Sequence, residues 1–342
     1  MTNSIFAVTT RGLEAVSADE LASLPGVTVE RSAYRRVFAS YEGLPDALLS
    51  LRTVDDLFLY VDTWQGIDRA RQTLTVLQYF SAHLDLDAAL AVCGQVRTIQ
   101  NPPIFSITAN FVGKRNYNTD EIKRACASGI TESYGWAYSE DDSNADLNVR
   151  VFIEGETAVV GLRLAARSLS KRAYKREHVP GSLKPTVAAA LLRLANVTST
   201  ARILDPCCGA GTILIEAKSY GAMAWGGDIN QQAITAARLN ATQAGADVDL
   251  QQWDARALPI SDRSVDCVIS NLPWGRAVTT NSSLSGLYQE ISEEIERVLT
   301  PGGRVVLLTN LPDLLQFKHL NCDKQMEISL FGQTPTITVW SD

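Results

Sequence analysis

The sequence predicts an α/β protein in which a doubly wound, mainly parallel sheet follows smaller α+β units. Three observations carry that expectation. From residue 201 onward, short apolar strand-like runs alternate with helix-length stretches. Before residue 165, strands and helices come in mixed order without that alternation. Between them lies ARSLSKRAYKREHVPGSLKP, residues 166–185, charged and broken by Pro180, Gly181 and Pro185, which reads as a connector.

The elements follow in order. Residues 1–60 alternate strand-like SIFAVTT and VTVERSAYRRVFASY with helix-like LEAVSADELASL and LPDALLSLRTV, a small separable α+β unit. Residues 61–165 form a second compact α+β unit. It has a helix near LDAALAVCGQV, a strand at FSITANF, a helix at TDEIKRACASGITESYG, then strands DLNVRVFIEG and TAVVGLRLA. Residues 186–342 open with the helix AAALLRLA. The runs ARILDPC, AMAWGGDI, VDLQQWDA, VDCVISN and GRVVLLTN then read as successive strands, with helices TILIEAKSYG, QQAITAARLNATQAG and LYQEISEEIERVLT between them. That alternation means a parallel, doubly wound sheet. The tail, MEISLFG then TPTITVW, lacks an intervening helix and reads as an antiparallel edge hairpin.

Bulk composition narrows the class. With 46% hydrophobic and 20% charged residues over 342, the chain has the make-up of a globular protein with two or three cores. No apolar run is long enough to cross a bilayer, and the N-terminus has no secretory pattern. Six cysteines without CxxC spacing argue against a disulfide framework or a zinc site and suit the cytoplasm. A net charge of −7 leaves any nucleic-acid partner to local charge.

DPCCGAGT, Asp205–Thr212, stands where the first strand of the parallel sheet meets its helix. Gly209 and Gly211 let the backbone approach a ligand closely. The loop matches neither GxGxxG nor a phosphate loop with GK[ST]. Asp228 ends the second strand, where a carboxylate can accept from both hydroxyls of a ribose. Asp254 ends the third, placed to accept from an adenine amine. Acids at such positions are also common turn and helix-cap residues. Three in register with a glycine loop fit a nucleoside ligand without phosphates, and S-adenosylmethionine is one. Cys207 and Cys208 read as small buried thiols, with no neighbouring histidine to activate them.

SNLPWGRAV, Ser270–Val278, follows the fourth strand. An exocyclic amine on a base is a poor nucleophile because its lone pair is delocalised into the ring. The Asn271 side-chain oxygen and the Leu272 carbonyl can accept its two N–H groups. Pro273 stiffens the turn, and Trp274 offers a face for stacking, worth about 1–3 kcal/mol per base. The competing reading is an ordinary structural turn.

DPCCGAGT with NLPWG resembles the amino-methylating branch of Rossmann-fold methyltransferases, whose motif is (D/N)PP(Y/F/W). FSITANFVGKRNYNTDEIKRACASGI, with the strands after it, is similar to a THUMP domain. The whole chain resembles the THUMP-containing tRNA guanine-N2 methyltransferases. The resemblance implies a ferredoxin-like part (1–60), a THUMP domain (61–165), a basic linker (166–185) and a seven-stranded Rossmann-fold catalytic domain (186–342). It further implies S-adenosylmethionine as cofactor, held by Asp205, Pro206, Cys207, Gly209, Gly211, Thr212, Asp228, Ile229, Asp254, Ala255 and Asn271. Asn271, Leu272, Pro273 and Trp274 would then hold the base. The implied partner is tRNA, docked by its 3′ CCA end and methylated in the acceptor stem at position six, by a monomer without a metal. Leu272 and Trp274 depart from the commoner Pro and Tyr/Phe.

Arg163 to Arg176 contains Arg163, Arg167, Lys171, Arg172, Lys175 and Arg176 and no acid, with Tyr174 among them. Such a run is either a solvated face or a phosphate-contacting one. Lys114, Arg115, Lys123 and Arg124 form a weaker cluster. Phosphate contacts would position the RNA without reading its sequence. Rival expectations are a guanine-N2 enzyme for another tRNA position or ribosomal RNA, an N6-adenine enzyme, and a catalytically silent RNA-binding protein.

Overall fold

The computed structural model describes residues 2–275 and 284–342. They form two compact units, Met1–Thr9 with Ala18–Leu169, and Thr10–Ser17 with Ser170–Asp342. Arg276–Val278, the end of the SNLPWGRAV segment, lie outside the described residues.

The first unit is built on one eight-stranded sheet. Its elements are β1 (Thr2–Val8), α1 (Glu14–Ala22, in this unit from Ala18 on), β2 (Val27–Ala33), β3 (Arg36–Glu42), β4 (Asp56–Gln65), α2 (Thr73–Ala82) and α3 (Asp87–Val96). They continue with β5 (Ile104–Phe111), α4 (Thr119–Tyr134), β6 (Ala137–Tyr138), β7 (Leu147–Glu154) and β8 (Thr157–Arg163). The strand order is β2-β3-β1-β4-β8-β7-β5-β6. A border at residue 60 therefore falls inside β4, which pairs with β1 on one side and β8 on the other. The run VTVERSAYRRVFASY folds back as a hairpin, with Arg35 at φ 58° in its turn. The sheet is mixed: β5 runs parallel to both β6 and β7, and the other pairs are antiparallel. α2 forms although its Thr, Val and aromatic residues locally favour a strand. α4 shows clear end signals, with an Asn118/Glu121 capping box at its start and Gly135 in the left-handed region at its end.

One residue of the basic run belongs to this core. Arg163 is 4% exposed; its Nε donates to Asp56 Oδ2 at 2.8 Å and its Nη1 to both oxygens of Asp142 at 2.8 Å. It is an internal counter-ion, not a surface charge.

The second unit carries the expected parallel sheet. It comprises α5 (Pro185–Leu194), β9 (Arg202–Asp205), α6 (Thr212–Lys218), β10 (Met223–Asp228), α7 (Gln231–Ala244), β11 (Asp249–Gln252), β12 (Val265–Asn271), α8 (Leu284–Val298), β13 (Leu299–Thr309), β14 (Asn321–Glu327) and β15 (Thr336–Ser341). The order is β11-β10-β9-β12-β13-β15-β14. The first five strands are parallel, while β15 is antiparallel to both β13 and β14. The chain order reverses between β9 and β12, and in open α/β sheets the crevice beyond the carboxyl ends at such a switch is where ligands bind. Among the described residues no helix is long and apolar enough to cross a membrane.

Candidate active site

Asp205, the glycine loop, Asp228, Asp254 and Asn271 all gather at the carboxyl edge of this sheet, because each follows or ends a parallel strand. The loop is fastened to β10. Cys208 N donates to the Gly227 carbonyl at 2.8 Å, and Gly209 N to Asp228 Oδ2 at 3.0 Å. Asp228 Oδ1 accepts from Asn230 N, which starts α7. A carboxylate has about four lone-pair sites, so Asp228 keeps capacity for ribose hydroxyls. Gly209 and Gly211 sit at φ 51° and 77°, where a side chain is strained.

Two further glycines, not singled out in the sequence, make the edge close. A Cβ on Gly226 would stand 2.3 Å from Leu214 Cδ1, and one on Gly227 would stand 2.3 Å from the Trp253 ring. That ring crosses under the loop, and its Nε1 donates to the Pro206 carbonyl at 3.1 Å. Ile229 is exposed beyond β10, and Ala255 is 9% exposed. Asp254 lies two residues past the end of β11, and Arg256 clamps it through Nε and Nη2. These bonds hold its carboxyl below the usual range.

Asp205 is 1% exposed, so it supports the loop from beneath. Its Oδ1 accepts from Ser270 Oγ at 2.7 Å and from Cys207 N at 3.1 Å. Burial outweighs these bonds and pushes the acid up to about 7. Ser270, missed in the sequence, thus ties β12 to β9 just before Asn271. A carboxyl raised in the fold adds stability at acid pH, where both states are protonated, and loses it as pH rises through about 7. Asp205→Asn keeps an oxygen for both bonds and removes the titration. Its melting temperature is expected to gain on wild type between about pH 4 and pH 7 in thermal unfolding and to run parallel above that, whereas curves parallel throughout would mean that Asp205 does not titrate there.

Asn271 Nδ2 donates to the Gly181 carbonyl at 3.3 Å. A carbonyl only accepts, so the amide orientation is fixed and Oδ1 faces the other way. That oxygen is buried and has no hydrogen-bond partner among the described residues. Leu272 is 1% exposed and its N donates to the Leu308 carbonyl. The Pro273 carbonyl accepts from Tyr288 Oη at 2.9 Å, and the same hydroxyl meets Thr309 Oγ1. Tyr288 is fully buried and was invisible as a site residue in the sequence. Trp274 packs on the core, and its Nε1 is buried without a partner among the described residues.

The connector is not a free linker, and this corrects three of its proposed RNA contacts. Tyr174 is 8% exposed and its hydroxyl donates to Glu216 Oε1 at 2.7 Å. Arg172 Nε pairs with the same oxygen at 3.3 Å. Lys175 Nζ donates to Thr212 Oγ1 at 3.1 Å and to the Leu183 carbonyl, and burial draws its ammonium down to about 8 despite Glu216. Arg172 and Tyr174 bond a fully buried glutamate on α6, and Lys175 adds positive charge near it, because a buried carboxylate needs charge and hydrogen-bond partners. Arg115 turns inward too. Its Nη1 donates to the carbonyls of Ile67 and Asp68, and its Nη2 to that of Gly155. Lys123 pairs with Asp120. Lys114, Arg124, Arg167, Lys171 and Arg176 remain exposed.

Comparison with known proteins gives the family. Residues 172–334 match the model of the RMKL-like methyltransferase domain, and residues 94–163 that of the THUMP domain. The chain is 32% identical over 316 residues to a protein of Thermus thermophilus named tRNA (guanine(6)-N2)-methyltransferase, covering 91% of this chain and 90% of that one. The crystal structure of TrmN from Thermus thermophilus superposes with a TM-score of 0.79 at 28% identity, covering 100% of both chains. A human protein named U6 snRNA (guanine-N(2))-methyltransferase THUMPD2 is 31% identical over 201 residues, 58% of this chain but 38% of its own length. A THUMP module, a methyltransferase sheet with its glycine loop, and near full-length similarity place the chain in the THUMP-containing tRNA guanine-N2 methyltransferase family of S-adenosylmethionine-dependent enzymes.

Proposed function

We propose that this protein methylates the N2 amine of a guanosine in tRNA, forming N2-methylguanosine at position 6 of the acceptor stem. The observation that carries the reading is the Asn271 oxygen, a buried acceptor left without a partner where a base amine would enter. Leaving such an atom unmet costs roughly 1–3 kcal/mol, so a site that keeps one is shaped for a donor. The guanine target and position rest on the name of the Thermus thermophilus relative.

In this reading Asn271 Oδ1 and the Leu272 carbonyl each accept one N–H of the amine. They hold its lone pair out of the ring plane and in line for transfer. Tyr288 fixes the Pro273 carbonyl, so the turn is rigid before the base arrives. Trp274 lines the base pocket. Asp228, Asp254 and the 205–212 loop hold the cofactor, whose sulfonium supplies an electrophilic methyl group when bound. The amine sheds its extra proton to solvent after transfer, so no tuned base is required. Positioning does most of the work.

The THUMP domain docks the 3′ CCA end, and the target base is flipped out of its stem at a cost of a few kcal/mol. The protein works as a monomer in the cytoplasm, where its six unpaired thiols stay reduced. The exposed Lys114, Arg167, Lys171 and Arg176 supply phosphate contacts.

The test is transfer of labelled methyl to unmodified tRNA, followed by nucleoside analysis. N2-methylguanosine at position 6 is expected. N6-methyladenosine, or product only on ribosomal RNA or on a U6-type small nuclear RNA, would overturn the tRNA reading. Replacing Arg167, Lys171 and Arg176 together by Ala should lower the slope of log affinity for tRNA against log salt by about 2–3, at 0.7–0.9 per phosphate contact. Cofactor affinity should not change.

A further inference from the structure

Asn240 lies in the middle of α7 and is 1% exposed, a place where a polar side chain is costly unless fully satisfied. It is satisfied to the last position. Its Oδ1 accepts from Arg176 N at 3.1 Å and Glu177 N at 2.9 Å. Its Nδ2 donates to the Glu177 carbonyl at 3.0 Å and the Ala210 carbonyl at 3.2 Å. Two acceptor and two donor sites are all that a primary amide has. One side chain therefore clips the strap of residues 172–184 to the glycine loop.

Four residues beyond the clip, the Gly181 carbonyl receives Asn271 Nδ2 and so fixes which way that amide points. Between them, Val179 Cγ2 lies 3.6 Å from where a Cβ on Gly209 would stand. The strap is thus held at one end by Asn240 and aims Asn271 at the other.

We propose that Asn240 is a positioning residue for methyl transfer: through Glu177–Gly181 it sets the Asn271 amide with its oxygen towards the substrate amine. This rests on the proposed role of Asn271. The same bonds also stabilise the strap, since an apolar residue at 240 would leave Glu177 N and the Ala210 carbonyl without these partners, so the test separates turnover from stability. Asn240 touches neither cofactor nor base, so its effect passes through Asn271.

Asn240→Asp keeps the oxygen that accepts from Arg176 and Glu177 but, ionised, cannot donate to Glu177 or Ala210. The full-length variant is expected to lose about tenfold in kcat with tRNA affinity unchanged. Ala241→Gly, at the next position on α7, should lower the melting temperature comparably and keep wild-type kcat. In an Asn271→Ala background, Asn240→Asp should produce no further loss in single-turnover transfer, because coupled residues are non-additive. Wild-type kcat in Asn240→Asp, or a full tenfold loss on top of Asn271→Ala, would overturn the proposal. Full activity in Asn271→Ala alone would instead remove the reading of Asn271 beneath it. If the aspartate variant does not fold, Asn240→Ser takes its place with the same expected outcomes.

Discussion

Asn271→Ala is expected to lower kcat for tRNA methylation by about 10²–10³, the size seen when one preorganised hydrogen-bonding group is removed from a reacting centre. The Asn271 oxygen is buried and without a partner among the described residues, so its loss leaves no internal hydrogen bond broken on that side. Ala also gives up the bond from Nδ2 to the Gly181 carbonyl, so the loss should fall mainly on turnover, with a small effect on stability. Cofactor affinity, read by calorimetry, should fall by less than kcat, because the loop is fastened through Asp205, Asp228 and Gly227 and Asn271 is one of several residues implied to hold the cofactor. Asn271→Asp separates two ideas. An ionised carboxylate still accepts from an amine but cannot donate to the Gly181 carbonyl, so it is repelled from the position that Nδ2 holds now. If acceptance alone mattered, Asp would rescue activity. If orientation by the strap matters as well, Asp should recover little. Full activity in both variants would remove the amine grip.

How far the site could be read from the sequence depended on whether its partners were near in the chain. The 205–212 loop, Asp228 and Asn271 were legible because a parallel α/β sheet repeats a local pattern, and each strand end falls at a countable place. Ser270 and Trp253 stand beside residues already singled out, but their roles depend on contacts 47 to 65 residues away. Tyr288 and Asn240 had no signal at all, being one aromatic and one amide inside amphipathic helices. The connector misled for a related reason. Charge is visible in a sequence, but the buried Glu216 that draws Arg172 and Tyr174 inward, and Thr212 that takes Lys175, sit about 40 residues later, on a helix that reads as plain apolar. In the first unit, a border at residue 60 cuts β4, which pairs with β8 across about a hundred residues, and local periodicity carries no trace of such pairing. Asp254 is the reverse case, since Arg256 was in plain view two residues on.

Arg163→Ala carries the largest expected loss of stability, about 3–5 kcal/mol, because it strips a buried carboxylate of its counter-ion. Side-chain exposures of 5% for Arg163 and 7% for Asp56 leave no water to replace the lost partner. For a unit of this size that corresponds to a fall on the order of 10 °C in its melting transition. The pH dependence gives the cause away. Burial, which outweighs the pull of Arg163 and Arg150, already pushes Asp56 up to about 6. A carboxyl raised in the fold takes up a proton there more readily than in the unfolded chain, so its contribution to stability is kept at acid pH and lost as pH rises through 6. Without Arg163 the acid rises further. The gap between variant and wild type should therefore be wide near pH 8 and narrow near pH 5, and a gap independent of pH would point to lost packing on Phe58. Arg163→Met with Asp56→Leu removes both charges and keeps volume, and it should recover much of the loss, since buried pairs replaced by apolar groups are often neutral. The doubly substituted protein should bind tRNA as wild type does. A large loss of RNA affinity in a stable double variant would return Arg163 to the phosphate-contacting face from which its burial removes it.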